Sequence, residues 1–237
     1  LHRYQFLQKF LKESKKFGAQ RRASEAKAVN ISLENLSRNM GYSDVTRLIW
    51  NMETALINEM KEYFVPKKLD DIDVYIKIDE LGQSEIIYEK AGKELKSLPT
   101  KLKKDKYIED IKEVHKNLKE QYRRSRKMLE EAMEDGTEFY GYEIENLMTN
   151  PVIAPILKSL VFKMDKNLGY YEDKKLKSAK KKSVVVKDDS LLKIAHCFDL
   201  FESGDWASYQ KDIFDRELKQ PFKQVFRELY VKTADEK

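Results

Sequence analysis

At 237 residues, with 41% hydrophobic side chains, the chain has enough apolar material for one large domain or two small ones. Charged residues make up 37%, well above the usual value of about a quarter, and eight glycines and five prolines are few, a balance that favours helices with broad solvated faces. A single cysteine, Cys197, excludes a disulfide framework and a cysteine-rich zinc site and fits a reducing, cytoplasmic setting; the longest apolar run, "VIAPILKSLVF", is too short to span a membrane.

The first residue is Leu1 rather than Met, so the chain reads as a piece of a longer protein. Leu1 to Lys16 has the spacing of a helix through Tyr4, Phe6, Leu7, Phe10 and Leu11, ending where Gly18 can take the left-handed cap position. A second helix follows from Ala26, Val29, Leu33, Leu36 and Met40, which recur at steps of three and four, and Gly41 ends it. Ser43 is a fitting N-cap for a third helix, whose stripe is Val45, Leu48, Ile49, Met52, Leu56 and Met60. Short turns between the three predict an antiparallel bundle closed by Pro66.

Beyond it, "DIDVYIKIDE" alternates apolar and polar residues, Gly82 supplies a turn, and "SEIIYEK" returns as a second strand. A polar, lysine-rich connector leads to a long helix from about Lys104 to Glu134, with Ile108, Ile111, His115, Leu118, Tyr122, Leu129 and Met133 on its inner face and Gly136 at its end. "YEIENLMT" and "APILKSLVF" read as short helices either side of the break at Asn150-Pro151. "LGYYED", "SVVVKD" and "LLKIAH" read as short strands, and "GDWASYQKDIFDREL" as a helix with Trp206, Tyr209, Ile213 and Phe214 on one side. The expected fold is α+β and mainly helical. It comprises an N-terminal helical bundle (1–66), a β-hairpin with its connector (67–97), then a long central helix and a small mixed α/β C-terminal region (98–237).

The net charge of +5 is uneven. Leu1 to Asn30 holds eight Lys/Arg against two acids, Lys174 to Lys187 holds seven Lys and no acid, and Glu130 to Glu145 holds seven acids and no base. Such patches either attract phosphates or are solvated faces. Arg21 and Arg22 open a helix, a place that already favours anions. They could hold a phosphate or a partner's carboxylate, or pair with acids of this chain such as Glu25 or the Glu130 to Glu145 cluster. His196 and Cys197 are adjacent, and a thiol and an imidazole form a nucleophilic pair only when they face one another. Residues that adjoin on a strand point to opposite faces, which predicts a structural role for at least one of them. Three scattered histidines and one cysteine make no recognisable metal site, and "GTEFYGYE" lacks the Lys and Ser/Thr of a phosphate loop. No cofactor is expected.

Near the C-terminus, "QPFKQVFRELY" carries Pro221 at the first turn of a new helix, with Phe222, Val225, Phe226 and Leu229 on an apolar face. Gln220, Gln224 and Arg227 line another stripe, with Lys223 beside them. That stripe is either a hydrogen-bonded latch onto neighbouring backbone or the edge of a site. The latch is favoured, because no general base or nucleophile accompanies it. Phe222 and Phe226 should then be buried, and Arg227 should bond a carboxylate or carbonyl of this chain.

"FGAQRRASEAKAV" and "LENLSRNMGYSDVTRLIWNME" resemble the lead-in region of large bacterial proteins of the MolR type. "NPVIAPILKSLVF", "KIAHCFDL", a following Trp and "QPFKQVFRELY" resemble the domain of unknown function 4132 found in those proteins, some of which carry a WGR domain. The sequence departs from that pattern at Cys197, where the family has proline, and near Lys223 and Glu228, where the family often has prolines and this chain could stay helical. The resemblance implies no chemistry beyond a hint of nucleic-acid contexts. The expected function is therefore a non-catalytic interaction module of a large multidomain protein. It would bind other domains of its parent, a protein partner, or nucleic acid through the basic patches, with no membrane partner, and its candidate binding residues are Arg21, Arg22, Gln220, Lys223, Gln224 and Arg227. The alternative is part of an enzyme or ligand-sensing regulatory module whose site is completed by segments missing from this chain.

Overall fold

The computed structural model describes residues 1–230 and divides into two compact units, Leu1–Glu62 and the residues from Tyr63 onward. The architecture is α+β, helices combined with antiparallel sheets, as the residue patterns predict.

The first unit is three helices: α1 (His2–Ser14), α2 (Ala19–Asn39) and α3 (Val45–Glu59). Tyr4, Val29, Leu33, Leu36, Leu48 and Met52 form its core, matching the predicted stripes. A buried pair lies inside that core: the Tyr4 hydroxyl donates to Glu53 Oε1 at 2.5 Å, and Glu53 is itself buried. Two caps differ from expectation. Gly18 is extended at φ −63° and serves as N-cap of α2, so its freedom to adopt a left-handed conformation is not used. Asp44, not Ser43, caps α3; its carboxylate accepts from Arg47 N at 2.8 Å, and the Ser43 hydroxyl donates to that carboxylate at 3.2 Å. A charged acceptor makes the stronger cap bond.

The second unit begins with a four-stranded antiparallel sheet, β1 (Lys67–Leu69), β2 (Ile72–Ile78), β3 (Ser84–Lys90) and β4 (Lys93–Glu94), in sequential order. The expected hairpin is its centre, with Ile72, Val74 and Ile76 buried on one face. The flanking strands β1 and β4 escape sequence detection because they are two or three residues long and largely polar. Ala91 and Gly92, both at positive φ, make the two-residue turn between β3 and β4 that matches strand twist. Helix α4 (Lys106–Glu134) starts at the Asp105 cap and buries Ile108, Ile111, Leu118, Leu129 and Met133. His115 Nε2 donates to the Ser84 carbonyl at 2.8 Å, tying helix to sheet.

A six-stranded antiparallel sheet follows: β5 (Glu138–Tyr140), β6 (Val161–Met164), β7 (Asn167–Glu172), β8 (Lys175–Lys177), β9 (Ser183–Val185) and β10 (Leu191–Ile194), ordered β5-β10-β6-β7-β8-β9. Helices α5 (Gly141–Met148), α6 (Ile153–Lys158), α7 (Cys197–Ser203) and α8 (Trp206–Asp215) complete the unit, and α4 packs on both sheets. The run "APILKSLVF" is helix only as far as Lys158; Val161 and Phe162 belong to β6 and are fully buried on opposite faces. A continuous apolar run does not distinguish a buried helix from a buried strand. The stretch after Pro221 is not helical but runs as bends and a turn, and Phe226 is 51% exposed rather than buried. Phe214, placed with the inner side of α8 by spacing, is 80% exposed.

Gly82, at φ +80°, sits in the β2–β3 turn against the entry to α6: a Cβ there would stand 2.4 Å from the Val152 carbonyl oxygen. That oxygen is backbone and cannot swing aside, and the φ disfavours any side chain. Gly82→Ala should lower stability by about 1–3 kcal/mol in urea unfolding.

Candidate functional site

Directly opposed residues in an antiparallel sheet share a face. The pairings Val161–Tyr170–Lys177–Ser183 and Lys163–Lys193 therefore place these six side chains on one face of the large sheet. Phe139, Phe162, Tyr171, Leu176, Leu192 and Ile194, all buried, occupy the other. The apolar face is core. The mixed face is covered in its middle by α7, α8 and the segment through Val225, with Val161, Leu168, Tyr170, Leu200, Tyr209, Ile213 and Val225 packed between the layers.

Two polar devices hold that cover. The first is Asp199, 6% exposed, in the first turn of α7. Its carboxylate takes Lys163 Nζ at 2.6 Å, Lys193 Nζ at 3.1 Å and the His196 amide at 3.0 Å. Burial pushes the Asp199 pKa up, but the two lysines and the amide outweigh it and hold the carboxyl below its ordinary value. The second is Gln224, fully buried. Its Oε1 accepts from Val161 N at 2.9 Å and from Gln220 Nε2 at 2.9 Å, and its Nε2 donates to the carbonyls of Val161 at 2.7 Å and Ala195 at 2.8 Å. Gln220 also donates to the Ser159 carbonyl at 3.1 Å and accepts from Val225 N at 3.1 Å, while Trp206 Nε1 donates to the Val225 carbonyl at 2.6 Å. Arg227 pairs with Glu130 at 3.2 Å and with Glu134, both on α4.

At the margin of the cover lies a pocket of about 530 Å³ between α8 and strands β7 to β9. Lys158, Lys177, Lys181 and Arg216 line it with Glu172, Asp212, Tyr170, Ser178 and Ser183. Lys177 pairs with Glu172 at 2.7 Å and Arg216 with Asp212 at 3.0 Å. Arg216 lies over the Tyr170 ring at 4.9 Å, and Tyr170 meets Tyr209 edge-on at 5.8 Å. The hydroxyls of both tyrosines are buried, that of Tyr170 beside the Asp212 carboxylate and that of Tyr209 beside the Ala179 backbone. Burial first, then the Asp212 carboxylate, holds the Tyr170 hydroxyl far above the ordinary phenol pKa, so it remains a donor.

The remaining sequence candidates fall elsewhere. Arg21 and Arg22 do stand in the first turn of α2, where Arg21 bonds Glu25 at 2.7 Å and covers the Phe17 ring at 3.4 Å, while Arg22 is exposed. Lys223 is exposed. His196 is not on a strand but is the N-cap of α7; its Nδ1 accepts from Phe198 N at 3.3 Å. Cys197, fully buried 3.7 Å from that nitrogen, has its thiol pKa pushed up by burial and is a packed thiol rather than an activated one. The first unit has a groove of about 500 Å³ between α1 and α2, lined by His2, Arg3, Phe6, Ser32, Asn35 and Asn39. Among the described residues, no helix is long and apolar enough to cross a membrane, and no group of three or more His, Cys, Asp or Glu could hold a metal ion.

The match to a domain of unknown function (DUF4132) runs over residues 92–237, more than half of the chain. The chain belongs to this family. Residues 1–52 match a second family of unknown function (DUF5724). No curated protein and no solved structure matches. The α4 helix, the six-stranded sheet, the pocket and both polar devices all lie within the DUF4132 region; Arg21 and Arg22 lie within the other match.

Sequence reasoning passed over Lys163, Lys193, Asp199, Tyr170 and Arg216. A faint signal existed: "VFKM" and "LLKI" each hold one lysine inside an apolar strand, and a lysine there needs an acid on its own face.

Two measurements follow. Gln224→Ala leaves buried Val161 and Ala195 groups short of partners and should lower stability by about 2–5 kcal/mol, whereas Phe226→Ala should stay within about 0.5 kcal/mol in urea unfolding. Because the folded pKa of Asp199 is depressed, its contribution is fully present above the unfolded value of about 3.9 and is lost as pH falls through the folded value. The stability gap between the parent and Asp199→Asn, read by urea unfolding, should therefore be widest near neutral pH and narrow below about pH 4.

Proposed function

We propose that this chain is a non-catalytic interaction module, and that its large sheet presents a lysine-bearing edge to a polyanion, for which a nucleic-acid backbone is the best fit. The observation that supports this is the arrangement of the run from Lys174 to Lys187. It forms β8, β9 and their turns at a free edge of the six-stranded sheet. Lys175, Lys181, Lys182 and Lys187 are exposed there and form no ion pair among the described residues. Edge lysines also deter strand-to-strand aggregation. Four uncommitted cations within thirteen residues exceed what a three-residue strand needs for that purpose, and their fields add over a Debye length of about 10 Å. Arg21 and Arg22 of the first unit, and Lys223, are further candidates for phosphate contacts. A second reading, a ligand-sensing module or part of an enzyme, draws on the pocket beside this edge.

The test is titration of a labelled duplex and a labelled single strand at low salt. Binding should weaken steeply as salt rises, and replacing Lys175, Lys181, Lys182 and Lys187 by Gln should flatten the salt slope by up to about 3–4. Absence of binding at tens of micromolar by either strand form overturns the nucleic-acid reading and leaves an acidic protein as the partner.

A further inference from the structure

We infer that the pocket between α8 and the β7–β9 strands is an anion site that takes a phosphate monoester, the same group that ends a small phosphorylated metabolite or a nucleic-acid strand. Three observations converge. Four cations, Lys158, Lys177, Lys181 and Arg216, line one concavity against two carboxylates, Glu172 and Asp212, which leaves its wall two charges positive, the complement of a dianion. The donors are varied: beside the cations stand the Ser178 and Ser183 side chains and the Tyr170 hydroxyl, whose residue is 6% exposed and which lies beside the Asp212 carboxylate. A buried phenol that lines a cationic pocket is a neutral donor that an anion's oxygen can use alongside the charged groups.

The third observation is the backbone at Lys181. It closes the β8–β9 turn, with Lys181 N donating to the Ser178 carbonyl and Ser178 N to the Lys182 carbonyl, both at 2.8 Å. Lys181 does so at φ +60°, in the left-handed region that glycine adopts freely and lysine does not. Local stability favours glycine there. Other turns of the chain also hold non-glycine residues at positive φ, Lys174 among them; the one at Lys181 sets an ammonium group at the lip of the pocket. Arg216 is fixed differently, by Asp212 on the preceding helical turn and by the Tyr170 ring beneath it, so its guanidinium is pre-organised.

The inference rests on the polyanion reading only in sharing Lys181, and it stands or falls separately. The experiment is titration of the chain with inorganic phosphate, pyrophosphate and sulfate, read by backbone and tyrosine NMR shifts. Shifts should centre on Tyr170, Ser178, Lys181, Ser183 and Arg216. Lys181→Gly should weaken phosphate binding about tenfold while leaving the unfolding midpoint unchanged or higher. Tyr170→Phe should weaken it at unchanged overall charge. Lys175→Gln with Lys187→Gln, outside the pocket, should leave phosphate binding as it was while weakening nucleic acid. Comparing oligonucleotides with a 5′-phosphate and a 5′-hydroxyl separates the two sources: a gain from the phosphate points to a strand end, no gain to a small metabolite. The proposal is overturned by an absence of localised shifts at millimolar phosphate or pyrophosphate. It is equally overturned if Lys181→Gly and Tyr170→Phe bind as the parent does, or if the loss tracks Lys175 and Lys187 instead. Phosphate binding without nucleic-acid binding sinks only the edge reading, and the reverse result sinks only the pocket.

Discussion

A primary amide carries two donors and an acceptor with two lone pairs, and when buried it must place nearly all of them. Gln224 does so at zero exposure, with four hydrogen bonds to Val161 N, the carbonyls of Val161 and Ala195, and Gln220. These are not arbitrary backbone groups. Val161 opens β6 and Ala195 follows β10, neighbouring strands of the large sheet, and Ala195 N itself donates to the Val161 carbonyl at 2.9 Å. The ladder between these strands ends here, and a side chain from a segment some sixty residues further on supplies the groups that would continue it. This explains the local backbone. A helix through Gln224 would direct that amide along a regular stripe; bends around it let one side chain reach into the sheet and let Trp206 take the Val225 carbonyl that a helix would have used.

Asp199 plays the matching role at the start of α7. An ionised carboxylate at 6% exposure is costly unless paired and hydrogen-bonded, and Lys163, Lys193 and the His196 amide provide both. The two lysines sit side by side across β6 and β10, so each alone would repel the other on the mixed face. The aspartate removes that repulsion and fixes where α7 begins. Arg227 adds a link to α4 through Glu130 and Glu134, but this group is partly exposed and contributes about 0–1 kcal/mol.

Much of the first unit and of α4 was readable because periodicity carries the information: Leu33, Leu48, Ile111 and Leu118 recur at helical steps and are buried. Cap identity was harder. Ser43 and Asp44 are both good caps, and only the backbone shows which oxygen meets Arg47 N. The large sheet was half visible. Strands β7 and β10 are β-rich in sequence, whereas β5 and β8 have three residues each, and β6 hides in an apolar run. The turn at Asp173 and Lys174, both at positive φ, has no glycine to announce it. The latch was legible as a pairing of Gln220 and Gln224 but not as a shape. Its helical spacing assigned Phe226 to the core along with Phe222, and only Phe222 is there. The pocket was not legible at all, because Lys158, Tyr170, Lys181 and Arg216 come from four elements that only the fold unites.

The two faces of the large sheet differ in how their covers are held, and this bears on where the protein can adapt. The other face buries Phe139, Phe162, Tyr171, Leu176, Leu192 and Ile194, and α4, a helix of 29 residues, packs on the sheet through β10. Burial of that kind is non-directional and scales with apolar area. The mixed face is covered by helices of seven and ten residues and a non-helical segment. Helices this short are not stable alone, so their position depends on the tertiary contacts they make, chiefly the Gln224 and Asp199 hydrogen bonds and the small cluster around Tyr209 and Ile213. Directional bonds specify one arrangement but contribute less free energy than the buried apolar area opposite. The cover therefore belongs to the less stable part of the unit, and within it the firmest points are the centre of the sheet at Val161 and the base of α7. The pocket lies where the C-terminal end of α8 meets the outer strands, and its Tyr170 pairs across the sheet with Val161. Its wall shares Tyr170 with the cluster under the cover, so the cationic crowding of Lys177, Lys181 and Arg216 bears directly on how α8 is seated.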